Sequence, residues 1–241
     1  MDRMIYLSMA GAKATMQRQD ALAHNLANAS TPGFRAEMTA FRAVPVLGQG
    51  ASTRVYALES TPGYNAEPGA AQPTGRNLDV AMQGNAWLAV QGLDGTEAYT
   101  RAGSLDVGAD GLLVTKTGLT VLGDGGPITL PQNAQLQVAP DGTITAAVGQ
   151  GKAQAVGKLK LVTPEAPLQR GEDGLFRAVD GDLPADPDAR LQDGALEGSN
   201  VSAIETMIAM IAAARQFEQQ MKMVRTAQDK EQSAAKLLSN S

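Results

Sequence analysis

The 241-residue chain has no cysteine. Disulfides, thiol nucleophiles, zinc fingers and iron–sulfur ligation are therefore excluded for it. A single histidine, His24, excludes a multi-histidine metal site within one chain. Aromatic residues make up 4% of the sequence, so the large anchors that dominate cores and interfaces are few. No apolar run reaches the roughly 18 residues that a membrane helix needs, and no direct membrane insertion is expected. The opening Met1-Asp2-Arg3-Met4-Ile5-Tyr6 lacks the basic and apolar stretches of a secretory signal. A formal charge of −5 argues against a nucleic-acid or anionic-membrane binder.

Helix breakers are also missing, but only from the two ends. All 12 prolines lie between Pro32 and Pro187; only Gly11 precedes Pro32, and no glycine follows Gly198. The ends carry a charge of +1 each and the middle −7. Ile5, Met9, Ala12, Met16, Ala23 and Leu26 recur at helical spacing, predicting an N-terminal helix that stops before Pro32. Ser202 and Glu205 have the spacing of a capping box. Behind it Ile204, Ile208, Ile211, Phe217, Met221 and Val224 form an apolar seam, predicting a longer C-terminal helix. Eight of the ten methionines lie in these end segments, and methionine packs adaptably against several different neighbours. The middle offers no long helix as a partner, so the ends are expected to pair in a coiled-coil-like layer and to pack with other copies.

The middle reads as β. Asp-Gly pairs begin at Asp94, Asp110, Asp124, Asp141, Asp173, Asp180 and Asp193. They suit hairpin turns because both residues tolerate positive φ. Between them lie short runs such as Trp87-Leu88-Ala89-Val90 and Thr143-Ile144-Thr145. The expected fold class is α+β, with a mainly antiparallel β domain inserted between terminal helices. The expected boundaries are 1–31 for the N-terminal helix, 32–75 for an extended connector, 76–198 for the β domain and 199–241 for the C-terminal helix.

Chemistry is hard to find. His24 sits beside the apolar stripe of a helix with no nucleophile elbow in the chain, and reads as a solvated or interface histidine. Asp180, Asp182, Asp186 and Asp188 cluster among prolines and a glycine, without the spacing of a calcium loop. Gly123-Asp124-Gly125-Gly126 lacks the lysine of a phosphate loop. No catalytic, cofactor-binding or metal-binding residue is assigned, and no cofactor is expected. The residues alone leave open a soluble β-domain hydrolase with a helical dimer clasp, or an adhesin-like binding module.

Asn25-Leu26-Ala27-Asn28-Ala29-Ser30-Thr31-Pro32-Gly33-Phe34-Arg35 closely resembles the N-terminal signature of bacterial flagellar rod and hook proteins. His24 stands where that family often has another polar residue, and Arg35 replaces a frequent lysine. Leu196-Glu197-Gly198-Ser199-Asn200-Val201 is similar to the family's entry into its C-terminal helix, and Leu78 to Gly84 with Tyr99-Thr100-Arg101 to its β-domain entry. Asn25, Asn28, Thr31, Pro32, Gly33, Phe34, Ser199 and Asn200 carry the signature. Gly157-Lys158-Leu159-Lys160-Leu161-Val162 and Gly174-Leu175-Phe176-Arg177 are most similar to proximal-rod subunits, with the distal-rod subunit as near neighbour.

The resemblance implies a structural, non-enzymatic subunit of the basal-body rod, the periplasmic drive shaft that carries torque from motor to hook. It implies export by the flagellar type III apparatus without a cleaved signal, and as partners other copies of the chain and other rod subunits. On the residues themselves, Ile5, Met9, Met16, Leu26, Ile204, Ile208, Ile211, Phe217, Met221 and Val224 are expected to form the assembly interface. Asn25 and Asn28 are expected to bond backbone groups at the helix end, and Gly33 to let the chain turn outward.

Overall fold

A computed structural model describes residues 2–45, 55–132, 134–149 and 152–239. The chain divides into two compact units. One comprises Met1–Ala29, Ala36–Asn65 and Val201–Ser241, and the other Ser30–Arg35 and Ala66–Asn200.

The first, helical unit contains α1 (Asp2–Ala27), a hairpin of β1 (Glu37–Pro45) and β2 (Val55–Tyr64), and α2 (Ala203–Ser239). Both expected helices are present. Asn28 donates its amide N–H to the His24 carbonyl at 3.2 Å where α1 ends. At the start of α2 the Glu205 N–H donates to the Ser202 hydroxyl at 3.4 Å, which is the hydroxyl half of the expected capping box. Glu205 also places a negative charge at the positive end of the helix dipole. Residues 32–75 do not run as one connector. β1 and β2 pair antiparallel from Glu37↔Tyr64 to Pro45↔Val55, with a bulge between Met38 and Ala40. The residues joining them, 46–54, lie outside the described ones.

The second unit is all β. In chain order its strands are β3 (Ala71–Pro73), β4 (Val80–Met82), β5 (Trp87–Gln91), β6 (Glu97–Thr100), β7 (Leu105–Val107) and β8 (Leu113–Thr115). There follow β9 (Leu122–Gly123), β10 (Gly126–Pro127), β11 (Ala134–Val138), β12 (Thr143–Val148) and β13 (Gln154–Lys158). The last are β14 (Leu161–Val162), β15 (Gln169–Arg170), β16 (Phe176–Arg177), β17 (Leu191–Asp193) and β18 (Ala195–Glu197). The largest sheet has the order β14-β5-β6-β16-β15, and a second runs β11-β12-β13. All named pairings are antiparallel. Trp87 to Val90 of β5 are buried on both faces, as a short unbroken apolar run predicts. Leu88, Val90, Leu105, Leu113, Val121, Ile144 and Leu191 form the centre of the core.

Five of the seven Asp-Gly pairs connect hairpins, as the sequence suggested, and four of these use a longer loop than two residues. Gly92 and Thr96, Gly108 and Leu112, Ala139 and Thr143, and Gly171 and Leu175 each bracket a three-residue loop, the first N–H donating to the last carbonyl at 2.8 Å in every case. The loop glycines Gly95, Gly111, Gly142 and Gly174 have φ of 80°, 78°, 84° and 78°. Each aspartate accepts the N–H two residues on at its Oδ1, from Thr96, Leu112, Thr143 and Leu175. The carboxylate thus holds the turn and the glycine supplies the left-handed residue, the arrangement of a three-residue hairpin loop with a bulge. Only Asp124-Gly125 forms a two-residue loop, between the paired Gly123 and Gly126.

Candidate functional site

Large apolar side chains on both helices face away from the helical unit. The residues buried within it are small or short: Ser8, Ala12, Thr15, Ala21 and Asn25 on α1, and Thr206, Ala213, Val224 and Ala227 on α2. Small side chains allow helices to approach closely. A Cβ on Gly11 would stand 3.1 Å from the Gln220 side-chain amide. Thr15 and Thr206 donate their hydroxyls to the carbonyls of Gly11 and Ser202, both at 2.8 Å, so neither buried hydroxyl is left unmade.

The residues expected at an assembly interface fall as follows. Met9 is 56% exposed, Met16 57%, Ile204 74%, Ile208 63%, Ile211 56% and Met221 37%. Ile5, Leu26 and Phe217 are half-buried. Val224 is buried inside the unit. The stripe read from the sequence therefore merges two helix faces, an inner one that includes Ala12 and Val224 and an outer one of methionine and isoleucine. Tyr6, Met207 and Met223 extend the outer face. So many large apolar groups exposed on two helices exceed what scattered surface residues account for.

The signature residues divide between the two units. In the helical unit, Asn25 donates to the Glu37 carbonyl at 2.9 Å and accepts the Glu37 N–H at 2.7 Å, holding the first residue of β1 at both its backbone groups. Asn28 donates its side-chain amide to the His24 carbonyl at 2.9 Å. His24 Nδ1 lies 2.9 Å from Glu37 Oε2.

In the β unit, the Phe34 N–H closes a turn onto the Thr31 carbonyl at 3.2 Å, with Thr31 and Pro32 exposed. Gly33 has φ 71°, and a Cβ there would meet the Arg101 carbonyl carbon at 2.3 Å. Backbone conformation and close approach both require glycine at this position. Phe34 is buried, with the Arg170 guanidinium 4.6 Å from its ring centre. Asn200 donates its N–H to the Phe34 carbonyl at 3.3 Å and its side-chain amide to the Glu67 carbonyl at 2.8 Å. Ser199, beside it, is half-buried.

Here the β unit also contains a buried charge cluster that sequence reasoning did not identify. Glu197 Oε1 pairs with Arg35 NH1 and Oε2 with Arg101 Nε, both at 2.8 Å, and all three side chains are 3% exposed or less. Glu197 Oε1 also accepts the Gly69 N–H at 3.0 Å, and the Glu197 carbonyl accepts the Gly33 N–H at 2.7 Å. Arg101 donates further to the carbonyls of Ala86 and Gly84, and Arg35 to that of Glu67. Burial draws the Arg101 guanidinium below its ordinary range, while the Glu197 charge opposes that fall. Two of the aromatic residues, Trp87 and Phe176, stand at the same place. Trp87 lies 5.8 Å from the Arg101 guanidinium and 6.0 Å from that of Arg35, and its ring centre is 4.7 Å from that of Phe176. Arg35, Arg101 and Glu197 are far apart in sequence, so no local spacing marks them. Their presence inside the family-like motifs was the only available signal.

Two other expectations concern acidic groups. Among the described residues no cluster of three or more histidine, cysteine, aspartate or glutamate side chains is placed to hold a metal ion. The loop containing Asp180 to Asp188 is tied by the Leu183 N–H to the Tyr99 hydroxyl at 2.6 Å, and that hydroxyl donates to Glu97 at 2.9 Å. Burial, more than Glu97, pushes the Tyr99 hydroxyl well above its ordinary value. Among the described residues no helix is long and apolar enough to cross a membrane.

Comparison with known proteins bears on three stretches of the chain. Residues 5–35 match the flagella basal body rod protein family, 81–146 the flagellar hook protein FlgE/F/G D1 domain, and 192–237 the flagellar basal body rod FlgEFG protein C-terminal family. The flagellar basal-body rod protein FlgF of Salmonella typhimurium is 47% identical over 253 residues, covering 100% of both chains. That of Escherichia coli is 48% identical over 252 residues with the same coverage. FlgG of Bacillus subtilis is 30% identical across 94% of this chain and 96% of its own.

Proposed function

The chain belongs to the flagellar basal-body rod protein family as a structural subunit of that rod, and from this premise we propose that it polymerises through the outward apolar faces of α1 and α2. The observation that carries the proposal is the inversion within the helical unit. Alanine, serine and threonine lie inside, while Met9, Met16, Ile204, Ile208 and Ile211 point out. Burial of such side chains stabilises by about 25 cal/mol per Å² of apolar area, repeated at every subunit contact. The occupants of these faces are the terminal helices of other copies and of other rod subunits, paired in a coiled-coil-like layer. The FlgF-named relatives favour the proximal rod over the distal rod, and do not favour a hydrolase.

The proposed site of assembly is the periplasmic part of the rod, reached through the flagellar type III export apparatus without a cleaved signal. The rigid β unit contributes stiffness, and torque passes from motor to hook through many parallel contacts rather than through a catalytic group. The double variant Ile208→Asp, Ile211→Asp tests this. Both positions are exposed, so the unfolding free energy of the chain is expected to change by no more than about 0.5 kcal/mol per site. Rods are expected to be absent from isolated basal bodies and swimming to be lost. Intact rods and normal swimming, with the variant incorporated, would overturn the assignment.

A further inference from the structure

The seven Asp-Gly pairs differ in a way that matters for covalent chemistry. In such a pair the glycine nitrogen can attack the aspartate Cγ, because no Cβ hinders its approach. One carboxyl oxygen leaves as water with the amide proton, giving a five-membered succinimide. Water then adds back. Addition at the main-chain carbonyl leaves the chain linked through the side chain, as isoaspartate. No atom is gained or lost overall, and water is the only co-reactant.

Four pairs have both reacting groups held. Gly95, Gly111, Gly142 and Gly174 donate their N–H to the carbonyls of Gly92, Gly108, Ala139 and Gly171 at 3.0, 3.0, 2.9 and 3.1 Å. Their aspartates hold Oδ1 on the N–H two residues on, at 3.0, 3.2, 3.1 and 3.1 Å. Attack requires the loop to open first, so the rate falls by the population of the open form. Asp124-Gly125 is confined to a two-residue loop, and Asp193 is paired in the ladder with Val80.

Asp180-Gly181 is different. Both residues are exposed and lie outside every strand. Among the described residues neither the Asp180 carboxylate nor the Gly181 N–H makes a hydrogen bond; Asp124 and Gly125 share this, but there the pairing of Gly123 with Gly126 fixes the two-residue loop. We propose that Asp180 is the principal site of spontaneous isoaspartate formation in the folded protein, while the hairpin loops shield Asp94, Asp110, Asp141 and Asp173. The product inserts one methylene into the backbone just before Leu183, which Tyr99 holds. The carboxyls of Asp94, Asp141 and Asp173 are also kept below the ordinary range by hydrogen bonds from Thr96, Thr143 and Arg177 respectively. They therefore stay ionised, the form that loses water less readily.

The test is prolonged warm incubation of the intact chain at neutral pH, followed by peptide mapping with electron-transfer fragmentation and by labelling with an isoaspartyl methyltransferase. The folded chain is expected to accumulate isoaspartate at residue 180 at least about tenfold faster than at 94, 110, 141 or 173. In concentrated urea the seven sites are expected to converge. Asp180→Glu, which would need a larger ring, is expected to remove the signal from that peptide and leave the other six unchanged. The same ranking in folded and unfolded chains, or dominance of another pair in the folded chain, would overturn the proposal.

Discussion

The two units handle their apolar and charged side chains in opposite ways. The β unit has a dense aliphatic core and buries three charges that pair with one another. The helical unit buries small residues and leaves methionine and isoleucine outside. One unit places its largest side chains at its centre, whereas the other keeps much of its apolar area exposed. Trp87 and Phe176 stand at the charge cluster of the β unit, whereas the exposed apolar area of the helices is mostly methionine and isoleucine.

The contrast can be broken most severely at Glu197. Glu197→Ala leaves the Arg35 and Arg101 guanidiniums buried without their shared carboxylate, and is expected to destabilise the β unit by about 3–5 kcal/mol. Urea unfolding followed by Trp87 fluorescence checks this, because the tryptophan lies against both arginines. The helical unit offers a smaller test. Ala213→Leu adds bulk to the small-residue seam and is expected to cost about 1–3 kcal/mol by overpacking, read as loss of helical circular dichroism at lower temperature. A change as small as that expected of Ile208→Asp would show the seam to be loosely packed.

The smallest effect concerns acid. Hydrogen bonds and charge from Arg177 hold the Asp173 carboxyl below its ordinary range. A folded-state pKa below the unfolded one contributes stability that is present above the ordinary aspartate range and is lost as pH falls through the lowered value. Arg177→Ala is therefore expected to flatten the acid limb of the β unit's stability curve, measured as unfolding midpoint against pH. An unchanged limb would show that the exposed pair contributes nothing measurable.

How much of this was legible beforehand follows from the length scale of each interaction. Helix ends were readable because Pro32, Ser202 and Glu205 act on their own neighbourhoods. The β character of the middle was readable for the same reason. The inner seam was not, because hydrophobic periodicity weights methionine and isoleucine above the alanines and hydroxyl residues that do the packing. The hairpins at Asp-Gly were readable but their loop length was not, because Asp-Gly permits two lengths and the bonds from Gly92 to Thr96 and its counterparts decide between them. Residues 32–75 were read as connector because Pro45, Pro62 and Pro68 break the period-2 pattern of a hairpin. The charge cluster depends on three residues brought together by the fold.

The three-residue loops have one more consequence, for the order in which the chain folds. Each closes a ring of five residues, and hairpins form locally in roughly 1–10 μs. Four hairpin seeds can thus arise independently, before any distant part of the chain is engaged. The Arg35–Glu197–Arg101 contact is the opposite case, since it waits for segments separated by most of the β unit's length. Its closure would be a late event, and the rate of that step should set how quickly the β unit becomes rigid.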